Sequence, residues 1–215
     1  MDEALRIREF WLGRLLGGSL QGPAEQTLAL ELTHRAALWF AADSPQRRQR
    51  DARMRAEFQD VLARAARGTF AAWADSPRRR LSLIILFDQF PRQIHRGTAE
   101  AFRHDEQALG LALSGMQSAA DGALNVIERL FFYMPLQHAE SPEVQEESVA
   151  AYRRLLAETS AALRRTFEAA LQSALEHRQL IGRFGRFPHR NALLGRSNTP
   201  EEEVYLKGHP SSFGQ

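Results

Sequence analysis

Residues Leu81–Arg92 read LSLIILFDQFPR. The first seven, Leu81 to Phe87, form the only run that suits a buried strand, because an unbroken apolar stretch has no decisive period. A strand needs a partner, and no second run of strand character occurs anywhere in the chain. The run therefore reads as a helix buried on all sides, and with it the whole chain reads as all-α.

Working outward, apolar residues recur at helical spacing. Met54, Phe58, Val61 and Ala65 make one stripe, Phe102, Leu109, Leu113 and Met116 a second. Tyr152, Leu155, Leu156 and Leu163, then Phe167, Leu171, Ala174 and Leu175, make two more or one long interrupted one. Ser44-Pro45, Ser141-Pro142 and Thr199-Pro200 each set a capping hydroxyl before a proline at the first helical position, and Thr199 to Glu202 has capping-box spacing. The expected helices span 2–16, 25–42, 46–67, 79–90, 98–116, 122–134, 142–158, 160–181 and 200–206. Short connections favour antiparallel neighbours in a single domain over 1–206, followed by a loosely ordered tail at 207–215 whose His209 is within reach of folding back over the candidate site.

At 215 residues with 44% hydrophobic and 25% charged residues, the composition is globular, and no segment is apolar enough to span a membrane. MDEALRIREF lacks the features of a secretory signal, and the absence of cysteine excludes thiolate chemistry and disulfides, so a cytoplasmic location is expected. The basic residues are 27 arginines and Lys207, yet the formal charge is only +2, which does not suit a general polyanion binder. The arginine-rich helix at 46–67 carries Asp51, Glu57 and Asp60 and no interleaved aromatics, so it reads as a solvated face and not as a nucleic-acid surface. His34, His104 and His177 read as surface or core-edge residues, and Trp11, Trp39 and Trp73 as packing anchors.

Three helices in this scheme meet an apolar-Pro step followed by polar groups: DQFPRQIHR (Asp88–Arg96), YMPLQHAE (Tyr133–Glu140) and FGRFPHRN (Phe184–Asn191). Proline reads as a stop signal at each. If the helices alternate in direction, the three stops emerge at one end of the domain, together with the N-termini of the helices near 98 and 142. That end gathers Asp88, Arg92, His95, His138, Glu140, Arg186, His189, Arg190 and Asn191. The plainer reading is that these groups cap helix C-termini and that Asp88 simply pairs with Arg92.

The segments FWLG (Phe10–Gly13), LWF (Leu38–Phe40), LSLIILFDQFPR, AFRHD (Ala101–Asp105), ERLFFYMPLQHAE (Glu128–Glu140) and RFGRFPHRNALLGR (Arg183–Arg196) with TPEE resemble a bacterial family of unknown function. The resemblance runs in order from Phe10 to Leu206. It implies a TPR-like stack of helical hairpins and a polar cluster drawn from the same three loops. It carries no assigned reaction. Gln93 and Ala139 stand where the family usually has asparagine and serine, and Ser197, Asn198 and Thr199 replace a serine-threonine pair.

Three functions follow as expectations. In the first, a small anion or acidic peptide end is held by Arg92, Arg186 and Arg190, oriented by His95, His189 and Asn191, and walled by Phe184 and Phe187, with Gly185 letting the backbone approach. In the second, His138 or His189 is a general base oriented by Asp88 or Glu140 in a hydrolase-type reaction, with a metal on His138, Glu140 and His189 as a variant. In the third, the helical stack is a protein-interaction scaffold with its partner along a groove. The residues imply no cofactor.

Overall fold

A computed structural model describes residues 2–13, 23–40 and 43–209, and among them every regular element is helical. The helices are α1 (Glu3–Leu12), α2 (Pro23–Trp39), α3 (Pro45–Ala66), α4 (Pro77–Ile84), α5 (Phe90–Ile94), α6 (Asp105–Gln117), α7 (Val126–Phe132), α8 (Met134–His138), α9 (Pro142–Glu158), α10 (Arg164–Phe184) and α11 (Pro200–Gly208). Short 3-10 turns fill several connections. The hydroxyl starts form as the sequence requires: Ser44, Ser141 and Thr199 accept the N–H groups of Arg47, Val144 and Glu202. A capping box absent from the expectations, Asn125 with Glu128, starts α7.

The run that decided the fold is the axis of the molecule. Every residue from 81 to 94 is buried, which is why no helical period shows in its sequence. α4 continues into α5 through one wide π-turn, Ile85–Gln89, in which the Phe90 N–H donates to the Ile85 carbonyl five residues back. This corrects the expected stop at Pro91. In an unbroken α-helix the proline ring would clash with the carbonyl four residues before it, and the π-turn opens the backbone at that point. The chain stays helical to Ile94, where the His95 N–H donates to the Pro91 carbonyl at 2.8 Å.

At Pro135 the expected stop holds: α7 ends at Phe132 and the chain turns at Tyr133. A short helix, α8, then starts at once with proline in its first turn, where a missing N–H costs nothing. The third step also ends a helix as expected. Gly185 closes α10 in the left-handed conformation, φ 68°, before Pro188 begins a 3-10 turn.

Aromatic packing fixes α1, α2 and α3 around the axis. Phe90 meets Phe58 edge-on at 4.9 Å and Phe10 at 6.0 Å, and Trp11 stacks on Trp39 at 5.8 Å. The Met54, Phe58, Val61, Ala65 stripe is buried as expected. The stripe expected on α6 is displaced: the helix begins at Asp105, Phe102 lies in a preceding 3-10 turn, and Ala108, Ala112 and Gly115 face inward. A Cβ on Gly115 would lie 2.5 Å from the Phe132 ring and 2.9 Å from the Arg80 side chain, so glycine is required where α6 meets these two side chains. α9 and α10 form a hairpin, its antiparallel sense marked by Arg178 donating to Glu146 near the end remote from the turn. α11 runs to Gly208, beyond the expected boundary at 206, and His209 stacks on Tyr205 at 4.3 Å instead of reaching back. The remainder of the tail, 210–215, and the expected helical residues 14–16 and 41–42 lie outside the described residues.

The single side chain most exposed to this logic is Phe90, fully buried between α1, α3 and the axis. Phe90→Ala is expected to lower the unfolding free energy by about 3–5 kcal/mol, read from urea denaturation.

Candidate functional site

The centre of the polar cluster is a carboxylate with no exposed surface. Asp88 lies in the π-turn, and its Oδ1 accepts the Nδ1–H of His138 at 2.6 Å. Gln89 donates its side-chain amide to Oδ2, and the Arg92 guanidinium stands 3.4 Å from Oδ1 while donating to the Asp88 carbonyl at 2.7 Å. Burial, the largest single influence, would raise the Asp88 carboxyl, but the Arg92 and His138 charges together with the His138 and Gln89 hydrogen bonds outweigh it and hold the group well below the usual carboxylate range. Because Nδ1 of His138 donates to an anion, its Nε2 carries the lone pair. Burial, reinforced by Arg92, pushes the His138 imidazole down, so it is neutral at pH 7.

Arg92 extends the network to α6. Its two terminal nitrogens donate to the two oxygens of Asp105 at 2.8 and 2.9 Å, the bidentate geometry in which a guanidinium binds a carboxylate best. Arg190 donates to the same Asp105 at 3.3 Å, and both arginines lie over the face of Phe102. Asp105 was not among the expected site residues. In sequence it reads as an ordinary acid inside the helix expected over 98–116, and the shift of the α6 start from 98 to 105 places it in a first turn beside Arg92.

The third loop adds a second pair. Glu140 accepts the Phe187 N–H at 2.9 Å and both terminal nitrogens of Arg196, at 2.7 and 3.0 Å. Burial pushes the Glu140 carboxyl up, but the Arg196 and Phe187 hydrogen bonds more than reverse it. The Phe187 ring is fully buried, with His177 at 5.4 Å, His189 at 5.6 Å and the Arg190 guanidinium at 4.6 Å. His177, read from sequence as a core-edge histidine, is buried 6.1 Å from His138, ring to ring. The three Pro-step loops thus meet, and Asp88, Arg92, His138, Glu140, Phe187, His189 and Arg190 share one neighbourhood.

Other expected members do not join it. Arg186 turns to α11, donating to Glu202 at 2.7 and 2.8 Å and to the Ser197 carbonyl. Asn191 follows it, donating to Asn198 and Glu202. Phe184 packs on Tyr205 at 5.3 Å. A Cβ on Gly185 would meet nothing within 4 Å, so this glycine supplies a positive φ and not a close backbone approach. His95 sits at the end of α5 beside Arg55, Glu100 and His104, its imidazole lowered mainly by burial. Among the described residues no group of three or more histidine or carboxylate side chains is arranged to hold a metal ion. Glu140 in particular is committed to Arg196 and Phe187.

With this geometry in place, comparison with known proteins assigns a relationship. The model of the family described as "Bacterial protein of unknown function (DUF924)" matches residues 7–209. The chain belongs to this family. A protein of unknown function from Agrobacterium tumefaciens, ATU0120, has a solved structure that is similar to this DUF924 chain, with TM-score 0.70 and 33% identity over 86% of this chain and 98% of that one. No curated protein matches. The relationship supports the all-helical single-domain fold and names no chemistry. No helix among the described residues is long and apolar enough to cross a membrane.

The buried histidines give this DUF924 chain a defined acid sensitivity. Burial pushes His177 and His189 down to about 3, from an ordinary 6.5, with Arg190 adding to the effect at both. Below about pH 6.5 the unfolded chain takes up protons that the folded chain does not, so stability is full above that pH and is lost as pH falls toward 3. The urea midpoint is expected to fall between pH 6.5 and 4.5, by up to about 1.4 kcal/mol per pH unit for each such histidine. His177→Phe is expected to flatten that slope by one proton's worth.

Proposed function

We propose that the cluster formed by the three Pro-step loops is a site for a small polar ligand and that the Asp88–His138 dyad performs proton transfer on it. The observation that carries this reading is the 2.6 Å hydrogen bond from His138 Nδ1 to a fully buried, ionised Asp88. It fixes the tautomer, orients the ring and leaves Nε2 basic, and the imidazole is neutral at pH 7, as a general base requires. The His138 side chain keeps 15% of its surface exposed, so its ring is reachable from solvent. In a hydrolytic version, Nε2 takes a proton from a water attacking an ester carbon, and the imidazolium returns it to the departing oxygen.

Charge matching shapes the ligand class. Within the cluster Asp88, Asp105 and Glu140 stand against Arg92, Arg190 and Arg196, and the nearby histidines are held neutral. The site has no excess positive charge, which suits a neutral polar substrate such as an ester better than a strongly charged anion. Binding of a small anion without chemistry is a second reading, favoured by the Nε groups of Arg190 and Arg196, which are buried without a hydrogen-bond partner.

A panel of chromogenic carboxylic and phosphoric esters, run on wild type and His138→Gln side by side, separates them. Turnover in wild type that falls at least about 100-fold in His138→Gln, and that declines with acid as the imidazole protonates, is the expected result. Turnover equal in both proteins removes His138 from the chemistry. Saturable binding of an anion, unaffected by His138→Gln, supports the second reading.

A further inference from the structure

Away from that cluster, a cavity of about 320 Å³ opens between α1, α2, α3 and α5. Three residues that line it each keep a buried polar atom without a hydrogen-bond partner among the described residues: Nε1 of Trp11, Nη2 of Arg50 and Oε1 of Gln93. Folded proteins pair almost all buried polar atoms, so three unpaired ones around one cavity, two donors and one acceptor, mark a place where a partner enters. The wall also carries the charged Glu9, Arg35 and Arg53 and the apolar Phe10, Leu38, Trp39 and Met54.

The charges single out one arginine. Arg35 and Arg53 also line the cavity, but Arg35 pairs with Glu31 and donates to the carbonyls at the end of α1, and Arg53 pairs with Glu57. Arg50 forms no ion pair among the described residues. Burial lowers its guanidinium from the usual range, and Arg96 and Arg47 repel it further against the opposing pull of Asp51, so a negative partner there relieves uncompensated positive charge.

We propose that this cavity binds a small ring-bearing carboxylic acid. The carboxylate accepts hydrogen bonds from Arg50 Nη2 and Trp11 Nε1, the ring lies against Phe10, Trp39 and Met54, and Gln93 accepts from a donor on the ligand. One unpaired guanidinium, with Glu9 on the same wall, suits no more than a single negative charge, and the apolar part of the wall suits a ring that a bare oxyanion lacks. At 320 Å³ the space matches the lower end of small-molecule pockets.

The test is an NMR titration of the full chain with phenylacetate, following the indole N–H signal that Trp11→Phe removes. A saturable shift of that signal is expected, about tenfold weaker in Arg50→Gln and unchanged in Arg164→Gln, which lies on α10 away from the cavity and pairs with Glu168 of its own helix. 2-Phenylethanol, with the ring and no carboxylate, is expected to shift it far less. The proposal fails if phenylacetate gives no saturable shift, as a water-filled cavity would. It also fails if the alcohol or inorganic phosphate shifts the signal as well as the acid does, or if Arg50→Gln binds like wild type.

Discussion

A carboxylate without exposed surface constrains everything placed around it. Asp88 has to carry its charge inside the molecule, since an ionised group removed from water is tolerated only where opposite charge and hydrogen bonds replace the solvent. Arg92, Gln89 and His138 do this from two helices. The obligation then spreads, because a buried guanidinium has needs of its own. Arg92 reaches Asp105 on α6, and Asp105 in turn draws in Arg190 from the loop after α10. One buried charge thereby ties together segments far apart in sequence.

Much of the architecture was legible because helices declare their ends and their faces. Hydroxyl-proline starts, a capping box and the α3 stripe are local features, and local features survive folding. The axis was read correctly for an indirect reason, the lack of a partner strand, since burial on every side erased its period. The proline steps were misread at one of three places, and at a second the short helix that follows the stop was missed. Proline forbids an α-helical hydrogen bond, but a π-turn before Pro91 and a fresh helix start at Pro135 each avoid that bond while keeping the chain helical. Sequence announces the prohibition and not which escape the backbone takes.

The candidate site was visible in part for the same reason. Asp88, Arg92, His138, Glu140, His189 and Arg190 were assembled from loop parity, and the structure brings them together. Asp105, Arg196 and His177 carry no local sign of their role, because each acts through a partner contributed by another helix. Arg186 and Asn191, adjacent in sequence to site residues, belong instead to the buried Glu202 of α11. Burial of Phe187 between the two networks separates neighbours a few residues apart into different environments. The FGRFPHRN segment therefore does two jobs: one half anchors the last helix, and the other walls the histidine cluster.

The π-turn at Ile85–Gln89 has a consequence for how this chain tolerates change in length. A π-turn holds one residue more than an α-helical turn, so it advances the angular phase of all that follows by about 100° around the axis. Leu81 to Ile84 and Phe90 to Ile94 are thus two segments of one rod set in different rotational registers. Loss of Ile85, Leu86 or Phe87 would leave DQFPR intact as a string while closing the wide turn to an α-helical one, which sets the Pro91 ring against the carbonyl four residues before it. In this stretch the number of residues is constrained as tightly as their identity, and kinship judged from the motif alone would miss the difference.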